Sequence, residues 1–365
     1  MPTAIVSGAL ANKPWNGGNA WTRLSYVLGL QRLGFDVVFV EQLDAPSAEA
    51  SGYFQTVSER FGLEGALVQD GLVPQELRER VEGAALLINI GGHLTIDPLK
   101  RAARVAIFLD DDPGHTQFWH ATGALGTRLA GHDYHFTFGA NIGLTGCPIP
   151  TNGLEWRPTR PPVVLSEWPL VANGDRDRLT TVASWRGGYG RLEVGGHSYG
   201  QKAHEFRKLA GLPGQVPQRL EIALDIHPGD AADAELLLGH GWTLADPREV
   251  AGDPDSFRSY VQGAGGEVSA AQGLYVGTGS GWFSDRTVRY LASGKPALVQ
   301  DTGFAPLLPV GEGLIPFRTP GEAAAGARRI DRDYALHAEA ARDIAERFFD
   351  SDVVLGHLLD EVGLG

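Results

Sequence analysis

The sequence predicts an α/β protein made of two doubly wound domains, and three observations carry that expectation. The chain has 365 residues, long for a single core and ample for two of ordinary size. Short apolar runs of strand length alternate with helical patterns twice along it. Between the two alternating regions, 148–162 is irregular and Pro-rich, with Arg157-Pro158 and Arg160-Pro161-Pro162, the texture of a linker. The expected domains are therefore 1–160 and 161–340, followed by a helical segment over 341–365.

In chain order, Ala4 to Gly8 reads as the first strand, 20–33 as a helix and Val37 to Val40 as the next strand. Further buried strands are expected at Ala85 to Asn89, Val105 to Leu109 and Tyr134 to Phe138. In the second region the expected strands lie near Leu179 to Ala183, Leu220 to Leu224, Gly273 to Val276 and Ala297 to Val299. Helical patterns over 335–348 and 353–362 close the chain.

Composition narrows the function. An apolar share of 43% supports two cores, and a formal net charge of -13 argues against a nucleic-acid binder or a protein held on anionic lipid. Cys147 is the single cysteine, so no intramolecular disulfide and no thiolate zinc site of the usual kind is expected. The first residues read as a strand rather than a signal sequence, and no apolar run approaches the roughly 18 residues that cross a bilayer. A cytoplasmic protein with neither nucleic acid nor membrane as partner is the expectation.

The segment 281–303 is the most informative. Ser284 or Asp285 can cap a short helix, and beyond the cap the N–H groups and positive dipole end are available to an anion. Arg286 stands where a guanidinium could add a bidentate contact to a diphosphate. Val288, Leu291 and Ala292 give the helix an apolar side, Gly294 suits a left-handed cap, and Ala297-Leu298-Val299 follows as a buried strand. An ordinary helix-to-strand connection reads the same way.

Other motifs fall beside strand ends. Trp15, Asn16, Gly17, Gly18 and Asn19 follow the first strand, with glycines for close backbone approach, amides for hydroxyls and an indole for stacking; a Gly-rich turn with an Asn cap is the equal alternative. Asp110-Asp111-Asp112-Pro113-Gly114-His115 ends another strand, where Asp110 and Asp112 match an Asp-x-Asp pattern that can hold a divalent cation. Asp112, His115 or His93 could act as general base, each lying just past a buried strand. In the second half, Arg186 within 184–190 and Lys202 within 199–206 could supply the cationic half of a diphosphate clamp. Gly277 to Gly281 lacks the Gly-x-Gly-x-x-Gly spacing of a dinucleotide site, and neither a Gly-x-Ser-x-Gly elbow with suitable partners nor His-Glu-x-x-His is present.

Taken together, Ser284-Asp285-Arg286-Thr287 and Gln300-Asp301-Thr302-Gly303-Phe304, with Gly311-Glu312-Gly313-Leu314, Phe317-Arg318-Thr319 and Glu322, resemble the donor-side signature of GT-B glycosyltransferases, in the bacterial family 1-like branch. Where many relatives carry a ribose-contacting Glu on this helix, the chain has Arg289. The resemblance implies two Rossmann-like domains facing across a cleft, with the C-terminal helices returning to the N-terminal domain. It implies an N-terminal acceptor domain using Trp15, Asn16, Gly17, Gly18 and Asn19, and a C-terminal donor domain. In the latter, Arg186, Lys202, Gly281, Ser284, Asp285, Arg286, Thr287, Asp301, Thr302 and Gly303 would hold a nucleoside-diphosphate sugar. It further implies transfer of the sugar to a small-molecule or glycan hydroxyl, with no metal and no resident cofactor required. A nucleotide-sugar epimerase or hydrolase, or a non-catalytic nucleotide-sugar binder, is the alternative.

Overall fold

The structure is a computed structural model that describes residues 1–365 except 44, 70, 188 and 189; the loop motif 184–190 thus includes two residues, Gly188 and Tyr189, outside the described ones. The chain divides into two compact units: Met1–Thr145 with Ile149–Val164 and Phe349–Gly365, and Gly146–Pro148 with Leu165–Phe348.

Unit 1 contains strands β1 (Thr3–Ser7), β2 (Asp36–Gln42), β3 (Glu64–Val68), β4 (Ala84–Ile90), β5 (Ala103–Asp110), β6 (Tyr134–Thr137) and β7 (Trp156–Pro158). Its helices are α1 (Gly17–Arg32), α2 (Ala48–Phe61), α3 (Gln75–Val81), α4 (Asp97–Lys100) and α5 (His115–Thr122). The strands form one parallel sheet in the order β3-β2-β1-β4-β5-β6-β7. Every residue of β4 is buried, as expected of a parallel strand covered on both faces. α1 starts at Gly17 rather than near 20 because Asn16 caps it, accepting from the Asn19 N–H at 3.0 Å.

Unit 2 contains β8 (Asp175–Ser184), the β9 (Leu192–Val194) and β10 (His197–Tyr199) hairpin, α6 (Lys202–Lys208), β11 (Arg219–Asp225), α7 (Ala231–Gly239) and β12 (Thr243–Ala245). There follow α8 (Pro247–Ala251), α9 (Pro254–Gln262), β13 (Ala264–Ser269), α10 (Gly273–Thr278), α11 (Asp285–Ala292), β14 (Ala297–Gln300), β15 (Leu314–Phe317), α12 (Pro320–Arg332) and α13 (Tyr334–Phe348). Its main sheet is again parallel, in the order β12-β11-β8-β13-β14-β15. Both sheets therefore share one winding, in which the direction of strand addition reverses beside the first strand. The carboxyl ends flanking that reversal, β1 and β4 in unit 1 and β8 and β13 in unit 2, are where such sheets take ligands.

The last helix, α14 (Ser351–Glu361), belongs to unit 1. It packs on α1 where Gly29 removes the side chain in its path: a Cβ there would stand 2.5 Å from Leu355 Cδ1 and 3.0 Å from Ser351 Cβ. Arg32 closes the contact with two bonds to Asp352.

One expected strand is corrected. Gly273 to Val276 is the first part of α10, and the strand lies just upstream in β13. Gly265 and Gly266 mask it, since glycine lowers strand propensity, yet here the sheet needs them. A Cβ on Gly265 would lie 2.5 Å from the Arg176 carbonyl oxygen, and one on Gly266 2.6 Å from that of Pro296. Among the described residues no helix is long and apolar enough to cross a membrane.

Candidate active site

In unit 2 the loops after β13 and β14 meet the N-terminus of α11. Gly281, at φ 75°, donates its N–H to the Thr302 carbonyl at 2.8 Å, and the Thr302 hydroxyl donates to the Trp282 carbonyl, so the two loops are tied together. Asp301 is buried and accepts from the Gly303 N–H at 2.9 Å and from Arg318 Nη2 at 2.8 Å, which shapes the turn at Gly303. A small pocket results, lined by Ser269, Ser284, Arg286, Gln300, Thr302 and Phe304 among others.

Ser284 is the N-cap of α11, yet its hydroxyl makes no capping bond. Among the described residues its Oγ is buried and without a partner, in a residue 6% exposed that lines the pocket. A buried hydroxyl without a bond costs about 1–3 kcal/mol, and a guest in the pocket could supply the missing partner. Thr287, one turn into the helix, is buried as well.

Arg286 does not extend outward as the diphosphate clamp that the sequence suggests. Its Nε donates to Glu267 Oε1 at 2.7 Å, Nη1 to the Val182 carbonyl at 2.9 Å and Nη2 to Ser269 Oγ at 2.6 Å. Burial alone would lower its pKa; Glu267, fully buried beside it, outweighs that and holds it above the ordinary value. The guanidinium thus fixes the first turn of α11 to the carboxyl ends of β8 and β13. Arg289 is likewise buried and pairs with Asp285 at 3.0 Å, so it does not replace an outward ribose contact. Arg186 is half-exposed and bound through two bonds to Asp230, at 2.7 and 2.6 Å. Lys202 opens α6, its backbone N–H donating to Gln272 Oε1 at 2.9 Å. Among the described residues, Arg186 has Asp230 as its ion-pair partner and is not among the residues that line the α11 pocket.

In unit 1 the loop after β1 is organised by a residue that motif reading missed. Glu41, buried near the end of β2, accepts the backbone N–H groups of Leu10, Ala11 and Asn12 at 2.9, 2.7 and 2.8 Å. Burial raises its pKa, against the pull of those three donors and of Arg23. The only hint was an acid closing the apolar run Val37 to Val40. Asn16 and Asn19, expected to meet hydroxyls, serve the loop itself: Asn16 caps α1, and Asn19 Nδ2 donates to the Ala9 carbonyl at 2.6 Å. Gly17 and Gly18 form the start of α1. Trp15 stands exposed at φ 58°, its Nε1 donating to Glu49 at 2.6 Å. A left-handed tryptophan is strained, the kind of backbone cost that persists at functional loops.

Beyond β5, Asp110 is fully buried and accepts from Thr116 Oγ1, Gln117 Nε2 and Thr137 Oγ1, each at 2.7 Å. Its oxygens face these donors, so the Asp110-x-Asp112 pair does not present two carboxylates to a cation. Among the described residues no group of three or more His, Cys, Asp or Glu could hold a metal ion. Burial, opposed by the three donors, pushes the Asp110 pKa up to about 6 from the ordinary 3.8. The folded protein therefore keeps a proton that the unfolded chain has released, so this contribution to stability is full below pH 4 and is lost as pH rises to 6. That gap is worth about 3 kcal/mol. Urea unfolding of wild type and Asp110→Asn should diverge in favour of Asn by up to that amount between pH 4 and 7; a constant difference refutes the assignment.

The same loop turns back so that Asp112 Oδ1 lies 3.5 Å from His115 Nδ1, with the imidazole against Trp119 at 5.3 Å between ring centroids. His93 differs. Burial first, then Arg23, Lys13 and Arg128, hold its pKa down to about 3, which makes it a poor proton acceptor at neutral pH.

No protein-family model matches the chain, and no curated protein sequence matches it. Solved structures do. HepE of Anabaena, in complex with UDP and glucose, aligns over 100% of both chains with a TM-score of 0.62 at 13% identity. The pneumococcal O-GlcNAc transferase GtfA, with UDP and GlcNAc, aligns over 100% of this chain and 99% of its own, with a TM-score of 0.62 at 9% identity. An alpha-glucosyltransferase in complex with UDP and a 13-mer DNA containing an HMU base aligns over 100% of both chains, with a TM-score of 0.59 at 12% identity. With two parallel sheets of one winding and the last helix returned to the first unit, the chain has the GT-B fold of these glycosyltransferases.

Proposed function

We propose that this protein is a glycosyltransferase that moves a sugar from a nucleoside-diphosphate sugar to an acceptor hydroxyl. One observation carries the reading: the N-terminus of α11 ends in a pocket where Ser284 offers a buried hydroxyl with no partner among the described residues. A diphosphate supplies what that end lacks, an acceptor for the hydroxyl and for first-turn N–H groups, and a negative charge for the dipole. The three fold relatives described above each hold UDP, which supports a nucleotide there.

The acceptor oxygen attacks the anomeric carbon, the bond from that carbon to the diphosphate oxygen breaks, and the electron pair leaves with the nucleoside diphosphate. The helix end stabilises the growing phosphate charge, work that needs no metal in this scheme. Arg286 holds that end in place instead of touching the phosphate. His115 takes the acceptor proton at Nε2, its Nδ1 turned to Asp112, which steadies the imidazolium that forms. The net charge of -13 favours a small molecule or glycan over DNA as acceptor.

Ser284→Ala tests the donor site. The substitution removes an unpaired buried hydroxyl, so stability should hold or rise, while the dissociation constant for UDP rises roughly tenfold. Unchanged UDP affinity by calorimetry would sink the reading. Turnover of the nucleotide-sugar without any acceptor would replace transfer by epimerisation or hydrolysis.

A further inference from the structure

Several cations of unit 1 have no task in the donor chemistry, and they gather where its sheet reverses. The side chain of Arg23, on α1, is 5% exposed; its Nη2 lies 3.3 Å from Asp111 Oδ2, and its buried Nε has no partner among the described residues. Gly8 leaves it room, since a Cβ there would stand 3.1 Å from that Nε. After β4, Gly91 and Gly92 adopt φ of 65° and 64°, a turn that other residues rarely make. A Cβ on Gly91 would lie 3.3 Å from His93 Nε2 and 3.5 Å from Asp111 Oδ1, and one on Gly92 3.1 Å from Arg128 Cβ. The turn thereby draws His93, Asp111 and the backbone of Arg128 together beside Arg23.

Lys13, exposed on the loop after β1, is near enough for its charge to act on His93. Among the described residues, neither its ammonium nor the Arg128 guanidinium makes a hydrogen bond or ion pair. The carboxylates nearby are committed: Asp111 to Arg23, Asp112 toward His115, and Glu41 to three backbone N–H groups. His93 registers the balance, for besides burial the charges that depress it are Arg23, Lys13 and Arg128. Among the described residues a buried guanidinium nitrogen of Arg23 lacks an acceptor, and beside it stand an exposed lysine, Lys13, and a partly buried arginine, Arg128, so the place offers positive charge in a chain whose net charge is -13.

We propose that Lys13, Arg23 and Arg128 bind an oxyanion, phosphate or carboxylate, carried by the acceptor. The word acceptor rests on the glycosyltransferase reading; the oxyanion site is a property of unit 1 alone. His93, neutral beside it, can donate one further hydrogen bond.

The full chain, with UDP saturating, would be titrated calorimetrically with inorganic phosphate and with acetate, and UDP would be titrated separately. At least one ion should bind, and Lys13→Gln and Arg128→Gln should each weaken it roughly tenfold while leaving UDP affinity unchanged. Tighter phosphate than acetate assigns a phosphorylated acceptor, and the reverse a carboxylate. Binding of neither ion, or binding that both variants leave intact, overturns the proposal. So does a loss of UDP affinity equal to that of the oxyanion, which would give these cations to the donor. If UDP itself does not bind, the donor reading fails, and the ion titration still decides the oxyanion site.

Discussion

Arg286→Ala should lower the stability of the protein by about 3–5 kcal/mol, the usual consequence of leaving one partner of a buried ion pair without the other. Glu267 is fully buried, its Oε2 has no hydrogen bond among the described residues, and Arg286 is its ion-pair partner. The Val182 carbonyl and Ser269 hydroxyl lose a donor in the same step. Arg286→Met combined with Glu267→Leu removes both charges and should recover part of the loss. UDP affinity should stay weak in both, because the first turn of α11 is then no longer bound to β8 and β13. Urea unfolding of the three proteins, with UDP titrations on those still folded, reads both effects. A single variant as stable as wild type, or one that unfolds normally yet binds UDP as before, would show that Arg286 is not what holds the first turn of α11 in place.

His115→Ala should reduce kcat by about 10²–10⁴, the span of general-base catalysis, with little change in UDP affinity. Asp112→Asn should cost less, since the imidazole then keeps its place but loses the anion that steadies its charged form. Steady-state rates with a confirmed acceptor check both. Full activity in His115→Ala would pass the proton to another group; His93 is a poor candidate, because burial first and then the cations around it hold its pKa down.

Much of the fold was legible because parallel strands covered on both faces leave uninterrupted apolar runs, as in Ala84–Ile90 and Ala297–Gln300. β13 escaped because its glycines serve close strand packing, while the apolar triplet Leu274-Tyr275-Val276 that looked like a strand belongs to a helix. Position along the chain was readable at the site, but side-chain direction was not. Ser284 can be placed at a helix start from its neighbours, yet whether its hydroxyl turns back to cap the helix depends on packing. Arg286 needed Glu267, 19 residues upstream on another element, to reveal that it faces inward. Glu41 and Arg23 act across 31 and 88 residues of sequence, on Leu10 and Asp111, and no local spacing signals such contacts.

If the two sheets of one winding do bind different ligands, as the proposed function has it, Glu41 gives a physical reason. In a dinucleotide-binding unit, the amides after the first strand receive a pyrophosphate and an acid about 20 residues further on hooks a ribose. Here the acid near the end of β2 swings back and takes the amides of Leu10, Ala11 and Asn12 for itself. Hook and cradle thus satisfy each other, like a plug wired permanently into its own socket. A nucleotide arriving at unit 1 would have to evict a carboxylate that is part of the chain and holds three backbone amides, whereas a ligand that calls on side-chain cations meets only the single contact of Asp111 to Arg23.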